Sequence, residues 1–280
     1  MGEAAERRLF MGLIYFFDKH IKPIMLKGTQ ILNPANTGVL THGVSCIRQG
    51  DVNLWLYTKN GRTIAIDAGH INEPHIDRDF KAIGIDPATV RHVLLTHADV
   101  DHCGGIDPQG NRYLYPNAKV YLGSGEKCYL DRTLHRMVKL HKKIYNCVQL
   151  RPGYQLLEDG EVLNLDGISV RCISVPGHTA GHMCYILDDE VLFSGDCLAV
   201  NQEGGYAFWD FFCQFPEQNK QSLLHLKQVV SDHPVTCVCT GHSGFTTDIE
   251  HLFAHIDVSA PFGRNVVFDQ TAPKDVCKRK

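Results

Sequence analysis

Short runs of apolar residues, separated by turn residues, indicate that the first half of the chain is rich in β-strands. Residues 44–48, 53–58 and 62–67 are such runs, and Asn60 with Gly61 is a typical hairpin turn between the last two. The pattern therefore predicts three successive strands, the third of which ends in a polar loop.

Helical and strand patterns alternate along the rest of the chain. Ile76, Phe80 and Ile83 are spaced for one face of a helix over residues 73–84. The alternation predicts two β-rich halves, each with helices on its outer side. The other predicted helices are 124–141, 216–231 and 247–255, and the other predicted strands are 90–96, 118–122, 161–165, 168–175, 183–187, 191–194 and 235–240.

The N-terminal region contains one apolar run, residues 9–17, flanked by charged residues. The run is too short to cross a bilayer, and no small-residue cleavage site follows it closely. It predicts a helix that docks on the domain. Because no Pro/Gly/Ser linker divides the chain, we expect a single domain over 1–280, with 1–42 as an N-terminal extension packed on it.

Composition narrows the class of protein. Of the 280 residues, 44% are hydrophobic and 21% are charged, and the net charge is −3, which is ordinary for a globular protein. Without a basic excess we expect no nucleic-acid partner, and we expect no membrane partner. The 11 cysteines have no disulfide-like spacing, which favours reduced thiols and a cytoplasmic location.

Candidate metal ligands are concentrated in one loop. His97, Asp99, Asp101 and His102 directly follow the apolar strand 90–96. A strand end is a rigid platform, and the loop beyond it can turn several side chains toward one point. Imidazole and carboxylate groups together are typical of a transition-metal site.

Three later motifs repeat the same arrangement. His178, Asp196 and His242 each follow a predicted apolar strand, and each stands next to a glycine. If these strand ends meet at one edge of the sheets, their side chains form a metal site. Isolated short motifs are often coincidental, but a complete ordered series of them favours metal binding.

In these motifs the chain resembles the metallo-β-lactamase superfamily, over roughly residues 44–255. The resemblance implies an α+β fold, an αββα sandwich of two mixed β-sheets flanked by helices. It also implies a hydrolase in which hydroxide bound between two divalent metal ions attacks the substrate. Asp67 would support the metal ligands without binding metal itself. The implied ligands are His97, Asp99 and His178 for the first ion, Asp101, His102 and His242 for the second ion, and Asp196 for both.

Asp99 departs from the family pattern, which has a histidine at this position. Three carboxylates would then face two divalent ions, and with the hydroxide the charges of ions and ligands would sum to about zero. This favours harder ions, so iron and manganese become alternatives, while zinc stays the default ion. Asp101 is a candidate to move a proton as well as to bind metal.

Two further features bear on the site. His182 is best interpreted as a hydrogen-bonding residue that shapes the metal-binding loop. Tyr206, Phe208 and Trp209 belong to an aromatic segment with glycines. That segment suits either a lid over a small-molecule pocket or an apolar anchor in the core or at a homodimer interface.

The leading hypothesis is thus an enzyme that hydrolyses a small ester, thioester, lactone or lactam. The alternatives are a phosphodiesterase and, because Asp99 replaces a histidine, a non-haem diiron redox enzyme. The first alternative is disfavoured by the lack of basic excess.

Overall fold

The computed structural model describes Leu9 and residues 13–25, 32–138, 142–144 and 148–261. Its helices are α1 (residues 13–25, including the π-helical turn Phe17–Ile21 and the last turn Lys22–Met25), α2 (Ile76–Ile83), α3 (Val100–Cys103), α4 (Lys127–Leu130) and α5 (Pro216–Ser231). Short 3-10 turns lie at Pro87–Thr89, Gly104–Ile106 and Ser124–Glu126.

The strands are short, and most of the longer ones are buried. In chain order they are β1 (Gly38–Val39), β2 (Val44–Gln49), β3 (Val52–Lys59), β4 (Arg62–Ile66), β5 (His92–Leu95), β6 (Lys119–Gly123), β7 (Met137–Val138), β8 (Lys142–Lys143), β9 (Gln155–Leu157), β10 (Val162–Leu165), β11 (Ile168–Ser174), β12 (Met183–Leu187), β13 (Val191–Gly195), β14 (Leu198–Asn201), β15 (Gly204–Ala207), β16 (Cys237–Thr240), β17 (Phe245–Thr246) and β18 (His255–Ser259).

Two mixed sheets form the centre of the fold. The first has the order β1-β2-β3-β4-β5-β6-β9, and the second has the order β10-β11-β12-β13-β16-β17. In the first sheet β4, β5, β6 and β9 run parallel, whereas in the second only β13 and β16 do so. Small sheets of β14-β15-β18 and β7-β8 complete the topology.

The two sheets pack face to face and are covered by helices on the outside. Trp55 of β3 shares a buried core with Tyr185 and Phe193 of the second sheet. The other face of the first sheet packs against Phe80 of α2, and the other face of the second sheet packs against Leu223 of α5. The predicted αββα sandwich is therefore confirmed, and burial on both faces explains why these strands are apolar throughout rather than alternating.

The predicted helix over 124–141 is wrong in most of its length. Only Ser124–Glu126 and α4 are helical, and β7 follows, while 139–141 lie outside the described residues. Arg132 has a φ of 59°, and a left-handed residue of this kind ends a right-handed helix. The turn redirects the chain so that Arg136 enters the interior, a long-range requirement that local spacing does not encode.

The predicted helix over 247–255 is also wrong. This segment forms turns and then β18, which pairs in parallel with β15 through Tyr206 and His255. Pairing with a neighbouring strand satisfies the backbone groups of β18 as a helix otherwise would. The remaining predicted elements are present, with ends that differ by a few residues.

The N-terminal helix extends further than the apolar run predicted. Residues 10–12 lie outside the described residues, but α1 continues past Phe17 to Met25. Within the described part of the chain, every helix is too short or too polar to span a bilayer. The boundary predicted for the extension, 1–42, stays a prediction.

Candidate metal centre

Four strand ends deliver the predicted ligands to one place. His97 follows β5, His178 follows β11, Asp196 follows β13, and His242 follows β16. Because β13 and β16 are parallel neighbours with Gly195 opposite Thr240, their polar loops emerge side by side. Gly241 is required there, since a side chain at this position would overlap the Asp196 carboxylate.

The first ligand set consists of His97, Asp99 and His178. Its ligand atoms all lie within 4.8 Å of one another, and all three residues are buried. Asp99 Oδ2 is 3.7 Å from His97 Nε2 and 3.4 Å from His178 Nε2. Ligands about 2.0–2.1 Å from a tetrahedral zinc ion would lie roughly 3.3 Å apart, so this spacing fits a shared ion.

The second ligand set consists of Asp101, His102 and His242, which meet the same 4.8 Å limit. His242 Nε2 is 3.5 Å from Asp101 Oδ2. Asp196 lies between the two sets, with Oδ1 3.4 Å from His102 Nε2 and Oδ2 3.7 Å from His178 Nε2. All seven side chains predicted as ligands are thus brought together.

The donor set has the chemistry of a cation site. His97 Nε2, His102 Nε2 and Asp196 Oδ1 are buried polar atoms without a hydrogen-bond partner among the described residues. Leaving such atoms unpaired costs free energy, and a metal ion would satisfy them together. The residues present therefore fit the ions that the resemblance implies.

Electrostatics separate the two sets. Burial lowers the pKa of His97 well below its usual range, and burial together with Arg136 lowers the pKa of His178. Burial acts in the same direction on His102, but the carboxylates of Asp196 and Asp67 raise its pKa well above the usual range. The two imidazoles of the first set are therefore neutral, which is the form that binds metal. The imidazole of His102 in the second set lies in a strongly negative environment.

Three supporting residues orient the rings and the bridging carboxylate. Asp67, with a φ of 65° just after β4, accepts from the Thr96 N–H at 2.7 Å and pairs with His102 Nδ1 at 2.8 Å. His242 Nδ1 is 2.8 Å from the Asp51 carbonyl oxygen. The His182 ring accepts from the Asp196 N–H at 3.0 Å and stacks on His97. Asp67 and His182 thus occupy the supporting positions that the sequence predicts for them.

Arg136 is a buried cation next to the first set, and the sequence analysis did not include it. Its Nε lies 3.0 Å from both carboxylate oxygens of Asp99, and its Nη2 lies 3.0 Å from His178 Nε2. The side chain is 2% exposed. The guanidinium offsets the extra negative charge that Asp99 brings in place of a histidine.

Lys22 of α1 plays the same part at the second set. Its Nζ lies 2.7 Å from Asp51 Oδ2, 3.6 Å from Asp101 Oδ2 and 3.6 Å from Asp18 Oδ1. Burial would lower the pKa of Lys22, but Asp51 and the other carboxylates raise it well above the usual range. The ammonium is therefore charged, and its ion pairs hold α1 against the metal centre.

Glu126 braces the two loops that carry the first set. Its carboxylate accepts from the Ala98 N–H at 2.8 Å and from the Gly181 N–H at 2.9 Å. Ala98 lies between His97 and Asp99 in the chain. Burial raises the pKa of Glu126 to about 7 despite these hydrogen bonds.

A cavity of about 390 Å³ opens over the ligands. Phe208 lines it, as the sequence predicts, and its ring contacts those of His178 and His242. Tyr206 and Trp209 lie outside the lining, which corrects the prediction. Tyr206 donates to Glu203 and stacks on His255, and Trp209 stacks on Phe211. Because β15 ends at Ala207, the alternation of side chains between the two faces of a strand does not extend from Tyr206 to Phe208 and Trp209.

A third buried group, His182, Cys184 and Cys197, also has closely spaced ligand atoms. The Cys197 thiol lies 3.5 Å from that of Cys184, and it donates to the Ser194 carbonyl oxygen. Burial raises the pKa of Cys197 well above its usual range. It is therefore a protonated packing group rather than a thiolate ligand.

Comparison with known proteins identifies the family. Residues 47–242 match the sequence model of the metallo-beta-lactamase superfamily. The chain belongs to this superfamily.

Relatives in the superfamily agree with this assignment. The protein YobT of Bacillus subtilis (strain 168) is 31% identical over 56% of this chain and 68% of its own length. An atrochrysone carboxyl ACP thioesterase of Pseudocercospora fijiensis is 26% identical over 59% of this chain and 42% of its own length. The chain thus spans between about two fifths and two thirds of the length of these curated relatives. The family match and the thioesterase relative support the predicted enzyme class, a metallo-hydrolase.

A solved structure gives the same result for the fold. The metallo-beta-lactamase family protein TTHA1429 from Thermus thermophilus matches with a TM-score of 0.56 and 20% sequence identity. The match covers 76% of this chain and 77% of that chain. The αββα sandwich is therefore shared with a known superfamily member.

Two site residues that sequence reasoning missed are cations, and their positions explain why. The motifs of the superfamily contain neither Lys22 nor Arg136, and the chain has 28 lysines and arginines. The replacement of a histidine by Asp99 indicates that a compensating positive charge is needed. Nothing in the spacing of the chain indicates which residue supplies it.

Proposed function

We propose that this chain is a metal-dependent hydrolase that cleaves a small ester, thioester, lactone or lactam. The proposal rests on one observation, the convergence of seven imidazole and carboxylate groups at spacings that fit two shared ions. When bound, two divalent ions supply a Lewis acid for the substrate carbonyl and lower the pKa of a water molecule.

The residues of the chain prepare the site for this chemistry. Asp67 and the Asp51 carbonyl hold the imidazoles of His102 and His242 in one orientation. Although burial opposes it, the charges of His102, Lys22 and His242 lower the pKa of Asp101. Asp101 Oδ2 lies 3.5 Å from His242 Nε2, so we assign Asp101 first to metal binding, with proton transfer as its second role.

The character of the cavity favours an acyl substrate over a phosphodiester. Both cations among its lining residues are already engaged, Lys22 with Asp51 and Arg136 with Asp99. The two ions would bind a phosphate group as well as an acyl oxygen, so the discrimination comes from the cavity walls, and the largely apolar lining suits an acyl group. The ester and thioester subclass is also consistent with a relative named as an ACP thioesterase.

Zinc is the ion we propose. Four of the seven ligands, His97, His102, His178 and His242, are imidazoles, which zinc readily accepts. Arg136 compensates the third carboxylate, and this weakens the argument for a harder ion. Metal analysis of protein purified without added metal should find about two equivalents of zinc. Two equivalents of iron with a visible absorption band would instead support the redox alternative.

Replacing Asp196 by Asn tests the site directly. Asp196 is the carboxylate shared by both sets, so the variant should lose at least one metal equivalent. Its kcat/KM for p-nitrophenyl acetate should fall by more than the roughly 10–100-fold typical of residues that only orient a ligand. Asp248→Asn, a matched change at an exposed residue paired with His251, should leave both values unchanged. Full activity in Asp196→Asn would refute the proposed centre.

A further inference from the structure

The N-terminal helix α1 forms one wall of the cavity above the metal centre. Leu13, Ile14 and Phe17 line the cavity from this side. They lie before residue 47, where the match to the superfamily begins. This wall therefore comes from a part of the chain that precedes the match to the family model.

Two sets of contacts hold α1 against the body of the protein. The buried Lys22 pairs with Asp51 and Asp101, and its Nζ lies 5.2 Å from the centre of the Phe212 ring. One turn away, Lys19 bonds to Glu73 at 3.1 Å. The helix is thus fixed beside the ligands by charge pairs, with Leu13, Ile14 and Phe17 facing the cavity.

A second part of the lining is aromatic. Phe208, Phe211 and Phe212 line the same cavity as Leu13, Ile14 and Phe17. The ring of Phe208 reaches to 5.3 Å from the His178 ring, between their centres. An apolar channel therefore runs from the protein surface down to the metal ligands.

We infer that this channel binds the apolar acyl chain of the substrate, so that the enzyme prefers medium-chain acyl esters or thioesters. The inference rests on the proposed function and names its substrate class. The cavity of about 390 Å³ lies within the range of about 300–1,000 Å³ usual for small-molecule pockets, and part of it must hold the ions and the carbonyl, so it suits a medium rather than a long acyl chain. Placing the carbonyl at the ligands leaves the chain between α1 and the three phenylalanines.

Chain-length dependence tests the inference by activity. We expect kcat/KM of the zinc-loaded enzyme for p-nitrophenyl esters to rise about fourfold per methylene from butyrate to octanoate, the equivalent of about 0.8 kcal/mol per buried methylene. Phe17→Ser should lower the octanoate value about tenfold, and should lower the ratio of the octanoate value to the acetate value by a similar factor. Phe16→Ser is the matched control, because Phe16 is 55% exposed and lies outside the lining. Ile14→Phe, which narrows the channel, should shift the optimum to shorter chains.

Binding of the product acid gives a readout that does not need turnover. Calorimetry should show that octanoate binds at least about a hundredfold more tightly than acetate, and that Phe17→Ser lowers this ratio about tenfold. If no ester is cleaved but octanoate still binds in this way, the channel is correct and the proposed reaction is wrong. If acetate and octanoate are cleaved equally and bind equally, the acyl channel is wrong and the hydrolase proposal stands.

Discussion

The two ligand sets contain the same kinds of groups but are held in different ways. In the second set, His102 and His242 each have an oxygen acceptor at Nδ1, provided by Asp67 and by the Asp51 carbonyl. In the first set, His97 Nδ1 lies 2.9 Å from Thr96 Oγ1, but the Nδ1 of His178 has no partner among the described residues, and Arg136 approaches its Nε2 instead. Both rings of the second set are therefore held at Nδ1, but only one ring of the first set is.

The first set is held through its surroundings. Glu126 ties together the loops that carry its ligands, and Arg136 pairs with the carboxylate of Asp99. A guanidinium can hold a carboxylate in place, but it also competes with a metal ion for the same negative charge. We therefore expect the two ions to differ in affinity, with the first set the weaker site.

Removing the cation of the first set should have the largest effect on stability. Arg136→Met leaves the Asp99 carboxylate buried without its partner, so the free energy of unfolding of the metal-free protein should fall by about 3–5 kcal/mol. Added zinc would replace the missing charge, so the stabilisation by zinc should grow. Urea denaturation with and without zinc measures both effects.

A surface arginine provides the control for this variant. Arg171 lies 3.9 Å from Asp189 in a partly exposed pair, and Arg171→Met should cost no more than about 1 kcal/mol. If metal-free Arg136→Met were as stable as the unmodified protein, the pairing with Asp99 would contribute nothing to the fold.

Weakening the hydrogen bond that holds the His102 ring in the second set should have an intermediate effect, and this effect is on metal affinity. Asp67→Asn turns an amide toward His102 Nδ1 in place of a carboxylate, and affinity for one of the two ions should fall by about 10–100-fold. Competition with a zinc-binding dye measures the two affinities separately. Asp86→Asn changes an exposed residue that accepts from the Ala88 N–H and should alter neither. Equal weakening of both ions would mean that the sets are not independent.

The smallest effect on the free energy of unfolding is expected at Tyr129, which contacts the loop that carries His178. Tyr129 Oη accepts from the Ala180 N–H at 2.9 Å, in the loop that carries His178. Tyr129→Phe removes this acceptor and should lower the free energy of unfolding by about 0.5–1.5 kcal/mol. Thermal unfolding measures the loss. Tyr113→Phe, where the ring lies under Arg151, should change it less, and the opposite ranking would contradict the role assigned to Tyr129.

The sequence predicted the layers of the fold and the ligand loops because both depend on local patterns. An apolar strand followed by a polar loop is visible in sequence, as at Asp196 after β13, and the strands of a sandwich bring such loops to one edge. The helix predicted over 124–141 failed because Arg136 must reach Asp99, a contact distant in the chain.

The cations of the site could not be predicted for a related reason. Lys22 and Arg136 are buried, although residues of these types are usually exposed. Their burial is stabilised by carboxylates that are close to them in the fold but distant in the sequence. The aromatic lining was predicted only in part because Tyr206 and Phe208 lie on either side of the end of β15.

The position of Lys22 has a consequence for how specificity can diverge in this superfamily. This ammonium group reaches Asp101 from a helix that precedes residue 47, where the match to the superfamily model begins. Exchange of that helix would alter the channel and the charge beside one ion together, while every catalytic loop kept its sequence. Substrate preference can therefore evolve at the N-terminus without any change in the ligand motifs.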